Sequence, residues 1–321
     1  MLFRAACNIG WRDMSGAVSS IELWRDSRGR LSVLRILTLA LMLWPIALAV
    51  YAWQTEIRFS ARPVNDLIHR AGFWMLMFLL SSLAITPLRR IARYGGLIDV
   101  RRMLGVGAFC YGAAHLSLYA LDQMFDLGKV ASEIVLRIYL TVGFTALLGL
   151  AVLAATSTDG MTRALGGLRW RRLHQLVYPI TVLALIHFFQ QTKLDVTMPT
   201  LVTGLFIWLV GYRLIAWRWK GPQEIPTWLL LALSIAAAAL TFAGEAIGIA
   251  IAFHVSPLLV LQTAFDIDLD NLDMVRPGWY VLLVGLVIVL IDLVCARWRG
   301  RRRRKPAPAA ATITASVREP V

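Results

Sequence analysis

Long apolar runs separated by short arginine-rich segments recur along this chain. The runs fall at about 33–53, 70–88, 103–121, 134–155, 173–190, 199–217, 227–252 and 278–297. Each reaches the roughly 18 residues that a helix rising about 1.5 Å per residue needs to cross a hydrocarbon core about 30 Å thick. The pattern predicts an all-α fold: a polytopic membrane protein with about eight transmembrane helices. Gly105-Val106-Gly107 lies inside the third run and follows no strand, so it reads as a helix-packing element and not a nucleotide loop.

Composition agrees, with 58% hydrophobic residues among 321, and charge adds direction. A net charge of +14 would suit nucleic acid, but the basic residues are distributed to orient a membrane protein. Arg89, Arg90, Arg93, Arg101 and Arg102 share one short loop, and Arg163, Arg169, Arg171 and Arg172 another. Arg213, Arg218 and Lys220 follow the sixth run, and the tail from Arg297 to Lys305 follows the eighth. All fall on one side if the chain threads eight times, and Arg25, Arg28, Arg30 and Arg35 join them. That side is expected to be cytoplasmic, with both termini inside.

The polar segments carry little chemistry. Residues 1–32 have scattered charges and no apolar centre, unlike a signal peptide. Residues 299–321 read as a basic, disordered tail near anionic lipid headgroups. Asp266, Asp268, Asp270 and Asp273 lack the glycine and closing glutamate of a calcium loop and read as a solvated acidic face. Cys7, Cys110 and Cys295 form no disulfide or metal pattern.

The histidines are different. Ionisable side chains in hydrocarbon are costly and mark functional positions. His115 lies about 18 Å along the third run and His187 about 21 Å along the fifth, both measured from the inner face, so their depths match. Two neutral imidazoles at one depth on neighbouring helices suit a b-type haem, one axial ligand from each side. Phe109, Tyr111, Gly112, Tyr119, Phe188 and Phe189 would surround a flat apolar macrocycle. The alternative is that both rings hydrogen-bond neighbouring carbonyls and simply pack. Zinc also takes imidazole. Transported or stored divalent metals usually call for carboxylates as well, and the only deep acids, Glu245 and Asp292, belong to the last two runs.

His174, at the inner mouth of the fifth run, precedes His187 by 13 residues, about 20 Å and about 220° around one helix, so a ligand role would need a partner at its own depth, and His174 reads equally as a plain interfacial histidine. The residue 13 positions before His115 is Arg102, which is no iron ligand but suits a haem propionate, a flavin phosphate or a lipid phosphate. His69, at the outer mouth of the second run, is either a third outer imidazole able to substitute as a ligand or a cap of that span, and His254 reads as a helix end.

Several stretches together carry a resemblance: Asp66-Leu-Ile-His69-Arg-Ala-Gly72, Ile85-Thr-Pro-Leu-Arg-Arg90, Arg101-Arg-Met-Leu-Gly105, Ala108-Phe, His115 with Tyr119, Tyr139-Leu-Thr-Val-Gly143, Ala155-Thr-Ser-Thr158, Leu165-Gly, and Trp170-Arg-Arg-Leu-His174-Gln-Leu-Val-Tyr178 with His187. In this order they resemble the MsrQ (formerly YedZ) family, haem-binding membrane subunits of periplasmic methionine sulfoxide reductase systems, within the ferric-reductase-like transmembrane superfamily. The resemblance covers about 33–220, a six-span core, and leaves two further helices in 221–298. It implies one haem b, or two, with His115, His174 and His187 as candidate iron ligands, His69 as a further family histidine and Arg102 where the superfamily has a fourth ligand. It also implies FMN, for which no motif gives a site.

The implied role is electron transfer across a bacterial inner membrane. Quinol or a flavin reductase would donate, and a periplasmic molybdenum-dependent MsrP-type reductase that repairs oxidised methionine would accept. The chain is then an electron-transfer subunit and not the substrate-reducing one. A ferric-chelate metalloreductase acting directly at the outer face is the first alternative, and a histidine-based metal transporter the second.

Overall fold

The computed structural model describes residues 31–55, 62–192, 195–219, 225–265 and 275–303, with side chains to 298 in the last segment. The acidic positions 266–273, Cys7 and the tail beyond 303 lie outside the described residues. The described residues form helices α1 (Val33–Thr55), α2 (Pro63–Ile91), α3 (Ile98–Asp122), α4 (Leu127–Leu136), α5 (Ile138–Ala155), α6 (Asp159–Leu165), α7 (Gly167–His174), α8 (Val177–Gln191), α9 (Thr197–Arg218), α10 (Thr227–Phe253), α11 (Pro257–Thr263) and α12 (Pro277–Arg303). Eight segments are long and apolar enough to span a membrane, α7 and α8 together making the fifth. The chain is an all-α, polytopic membrane protein.

Two features depart from the sequence reading. The run 134–155 is broken at Arg137, whose extended backbone separates α5 from a short helix, α4, that the hydropathy pattern does not reveal. Asp126 caps α4, its carboxylate accepting from the Lys129 N–H at 2.9 Å. The run 173–190 is not one regular helix either: α7 and α8 meet at a turn over Gln175 and Leu176. At its far end, α12 continues as helix to Arg303, past the predicted end of the eighth run.

The chain forms two compact units. The first comprises residues 1–86 and 95–202, and the second 87–94 and 203–321. In the first, α5 packs along α8, α3 against α1 and α5, and α4 against the N-terminal part of α5. Gly107 brings α3 against Met42 of α1, where a Cβ would lie 2.1 Å from the thioether methyl. Tyr111 of α3 donates to the Met42 carbonyl at 2.6 Å and packs on Phe78 of α2, ring centres 5.1 Å apart.

The second unit is built on α10 against α12. Its buried face is unusually polar for a membrane span: Ser234, Thr241, Glu245 and Asp292 are all under 8% exposed. Each has an internal partner, as hydrocarbon requires. Ser234 donates to the Leu230 carbonyl and accepts from the Trp208 indole at 3.1 Å. Thr227 donates to Asp292 at 2.6 Å, and Arg276 pairs with Glu245 at 3.3 Å. The approach of α12 to α10 depends on Gly285, where a Cβ would fall 2.4 Å from the Ser234 hydroxyl and 3.3 Å from its Cα.

Gly285→Leu should therefore lower thermal stability in detergent, overpacking costing about 1–3 kcal/mol. Gly244→Leu, at an exposed α10 position with nothing within 4 Å of an added Cβ, should leave the melting curve nearly unchanged. Equal melting temperatures for the two variants would contradict this account of the packing.

Candidate functional site

Five helices of the first unit, α2, α3, α4, α5 and α8, line one cavity, α4 through Ile134 alone. Its walls are mostly apolar, including Phe73, Met75, Leu76, Phe144, Leu147 and Phe188. Into it reach His115 from α3 and His187 from α8. The two rings stand edge to face, centres 6.2 Å apart and planes at 85°.

Each ring has one nitrogen engaged. Nδ1 of His115 bonds the Ile68 carbonyl at 2.8 Å, and Nδ1 of His187 bonds the Tyr139 carbonyl at 2.7 Å. A carbonyl only accepts, so Nδ1 carries the proton in both neutral rings and Nε2 keeps its lone pair. This is the tautomer a metal ligand needs. With metal–nitrogen bonds of about 2.0–2.1 Å and a ring radius of roughly 1.1 Å, two imidazoles on opposite sides of one metal place their centres about 6 Å apart. The carbonyl bonds foreseen as the mark of mere packing are thus present, in the form that leaves the second nitrogen of each ring with its lone pair, and the ring centres, 6.2 Å apart, match that spacing.

The donor set discriminates between metals. Among the described residues no three His, Cys, Asp or Glu gather as a metal-binding group. A structural zinc site normally asks for four protein ligands, and a catalytic one for three plus water. A haem iron asks for only two axial ligands, the macrocycle filling the rest of its coordination. Two opposed imidazoles in an apolar cavity between helices fit the second demand.

Of the other residues named from sequence, His69, Gly112, Tyr119 and Phe188 line the cavity. Phe109, Tyr111 and Phe189 do not; Tyr111 is turned to α1 and α2 instead. Unforeseen contributors are Ile68, Gly72, Tyr139 and Gly143, which hold or contact the two histidines. The sequence carried them only inside the stretches Asp66–Gly72 and Tyr139–Gly143 that bear the resemblance, where no role was assigned to them; in each, a glycine stands four residues after the carbonyl. At the cavity mouth Tyr119 donates a very short hydrogen bond to Glu133 of α4, and Arg137 bonds both Glu133 at 3.2 Å and the Tyr139 hydroxyl at 3.0 Å. The unpredicted α4 thereby fastens the ends of α3 and α5.

His174 lies apart from this cavity. It ends α7 and stacks on Trp170, ring centres 3.9 Å apart. Its Nδ1 faces the Trp170 carbonyl at 3.1 Å and its Nε2 the Ser157 hydroxyl at 3.3 Å. The Trp170 indole in turn donates to the Thr156 carbonyl at 2.9 Å. Arg102, read from sequence as free to bind a phosphate or propionate, is engaged by Asp159 at 2.6 Å. Its guanidinium, hydrogen-bonded to Asp159, holds that carboxyl below the usual carboxylate range. Sequence spacing alone did not bring Asp159 to Arg102, because they are 57 residues apart. His254 caps α10 in the left-handed conformation, φ 54°.

Comparison with known proteins covers the same helices. A family described as ferric reductase like transmembrane component matches residues 68–185, a stretch containing Ile68, His69, His115, Tyr139 and His174 and ending two residues before His187. A protein-methionine-sulfoxide reductase heme-binding subunit MsrQ of Xanthomonas campestris pv. campestris (strain 8004) is 45% identical over 187 residues, 56% of this chain and 84% of the relative. The MsrQ of Rhodospirillum rubrum is 45% identical over 157 residues, 49% of this chain and 76% of the relative. That of Xanthomonas oryzae pv. oryzae (strain MAFF 311018) is 43% identical over 192 residues, 58% and 87%. No solved structure matches significantly. At these identities, over more than two thirds of each relative, the chain belongs to the MsrQ family, with a ferric-reductase-like transmembrane region.

Proposed function

We propose that this chain is the haem b electron-transfer subunit of a methionine sulfoxide reductase system, with His115 and His187 as the axial ligands of one haem. The observation that carries the reading is the pair of Nδ1-anchored imidazoles, ring centres 6.2 Å apart, in one apolar cavity. The names of the relatives, heme-binding subunits, supply the class of cofactor.

When bound, the haem supplies a one-electron carrier in surroundings of low dielectric. The remaining work belongs to the chain. The Ile68 and Tyr139 carbonyls fix the tautomer and orientation of the two rings and raise the basicity of each free nitrogen. Phe73, Phe144, Leu147 and Phe188 exclude water from the space between them. His69 at the mouth offers a third imidazole.

His174 and Arg102 form the donor-side part of the proposal. His174, stacked on Trp170, is the candidate for a second haem or for FMN, and the Arg102–Asp159 pair would have to open for Arg102 to meet an anionic group. The arginine distribution supports a bacterial inner-membrane protein with both termini cytoplasmic. Electrons would come from the quinone pool or a flavin reductase and pass to a periplasmic molybdenum-dependent MsrP-type reductase. The ferric-reductase-like match favours one other reading, direct reduction of ferric chelates at the outer face. Rapid chelate reduction by the purified protein, with no partner present, would establish that alternative.

The dithionite-reduced minus oxidised spectrum of the purified protein is expected to show a sharp b-type α-band, lost or much reduced in His115→Ala and in His187→Ala. A featureless wild-type spectrum, after expression with ample haem, would sink the reading. His174→Ala should retain the His115–His187 signal yet slow quinol-driven reduction of it at least tenfold. Quinol-driven reduction at the wild-type rate would remove His174 from the electron path.

A further inference from the structure

The two histidines reach the cavity from different helices, yet the neighbouring helix receives each of them in the same way. His115 bonds the carbonyl of Ile68 and lies against Gly72; His187 bonds the carbonyl of Tyr139 and lies against Gly143. In both cases the glycine is four residues after the carbonyl. That offset has a physical reason. The carbonyl of helical residue i points at the N–H of residue i+4. Side chains lean toward the helix N-terminus, so the side chain of i+4 lies over the turn that holds that carbonyl. A residue with a Cβ at i+4 would stand where the imidazole must come.

The clearances bear this out. A Cβ on Gly143 would fall 2.7 Å from both Nδ1 and Cε1 of His187, and 2.9 Å from Cγ. A Cβ on Gly72 would fall 3.1 Å from Nδ1 and 3.3 Å from Cε1 of His115. The histidine ring is the nearest group in both cases.

The geometry points to Gly72 and Gly143 as positioning residues: each uncovers a helix carbonyl that already accepts its own i+4 N–H, so that the same oxygen takes a second hydrogen bond from a histidine ligand and sets its orientation and basicity. This rests on the assignment of His115 and His187 as haem ligands. The tighter seat at Gly143 makes His187 the more sensitive of the two. Loss of the carbonyl bond makes an imidazole a poorer electron donor, which disfavours ferric iron and raises the midpoint potential.

The test compares Gly143→Ala and Gly72→Ala with Gly149→Ala in the purified, haem-loaded protein. Gly149 is the matched control: it lies on α5 as Gly143 does and is equally crowded, but by Ile180 of α8, with a Cβ 2.7 Å from two side-chain atoms. Three readouts are taken: haem retention on dilution, the redox midpoint, and the low-temperature paramagnetic resonance of the ferric haem. Gly143→Ala is expected to weaken haem retention roughly 10- to 100-fold, the usual range for losing an outer partner of a metal-bound histidine. It should also raise the midpoint and shift the resonance, Gly72→Ala should do the same more weakly, and Gly149→Ala should lower thermal stability alone.

Wild-type retention, potential and resonance in Gly143→Ala would overturn the inference, as would equal changes in Gly149→Ala. If Gly143→Ala does not accumulate, Gly72→Ala decides on the same readouts. A wild-type protein without haem is a separate failure, that of the ligand assignment itself, and shows before any glycine is changed.

Discussion

Hydrocarbon offers no hydrogen bonds, so every polar group that enters it must find its partner inside the protein. Several hydroxyls meet that demand locally: Thr38, Ser81, Thr181, Ser234 and Thr241 each donate to a carbonyl four residues earlier on their own helix. An imidazole cannot be satisfied so simply, because its two nitrogens lie on different edges of the ring. In His115 and His187 a carbonyl of a neighbouring helix takes one nitrogen. The other keeps its lone pair, which suits the metal-ligand role proposed for it. The same constraint that makes a membrane histidine costly therefore prepares it as a ligand.

Both units use small residues to bring helices close, and they spend the closeness differently. In the second, Gly204, Gly278 and Gly285 admit Thr241, Phe242 and Ser234, so the gain is packing between spans. Its buried acids, Glu245 and Asp292, are bonded to Arg276 and Thr227. In the first unit Gly72 and Gly143 admit imidazole rings, and a cavity lies beside them. Four of the five histidines belong to the first unit; the fifth, His254, ends a helix.

The two ends of the first unit also differ in kind. Around the cavity mouth, α4 fastens Tyr119, Glu133, Arg137 and Tyr139 into one network. At the opposite end His174 is braced by Trp170 and Ser157, with both ring nitrogens facing oxygen acceptors or hydroxyls, and Arg102 is held by Asp159. The first arrangement leaves imidazoles lining a cavity; the second is closed upon itself.

Hydropathy alone determined the fold class and the eight spans, because a stretch long and apolar enough to cross the membrane is a property of consecutive residues. Depth along those spans was equally legible, and it singled out His115 and His187 as partners before any contact was known. The breaks at Arg137 and at Gln175–Leu176 were not, since apolar character runs through both and backbone direction does not register in it. Nor was the pairing of Arg102 with Asp159, or the role of Ile68, Tyr139 and their glycines. A carbonyl has no side-chain signature, and a glycine shows its use only when another helix approaches it. Which nitrogen of each imidazole stays free was therefore decided by the packing of α2 on α3 and of α5 on α8, the step at which residues far apart in sequence first meet.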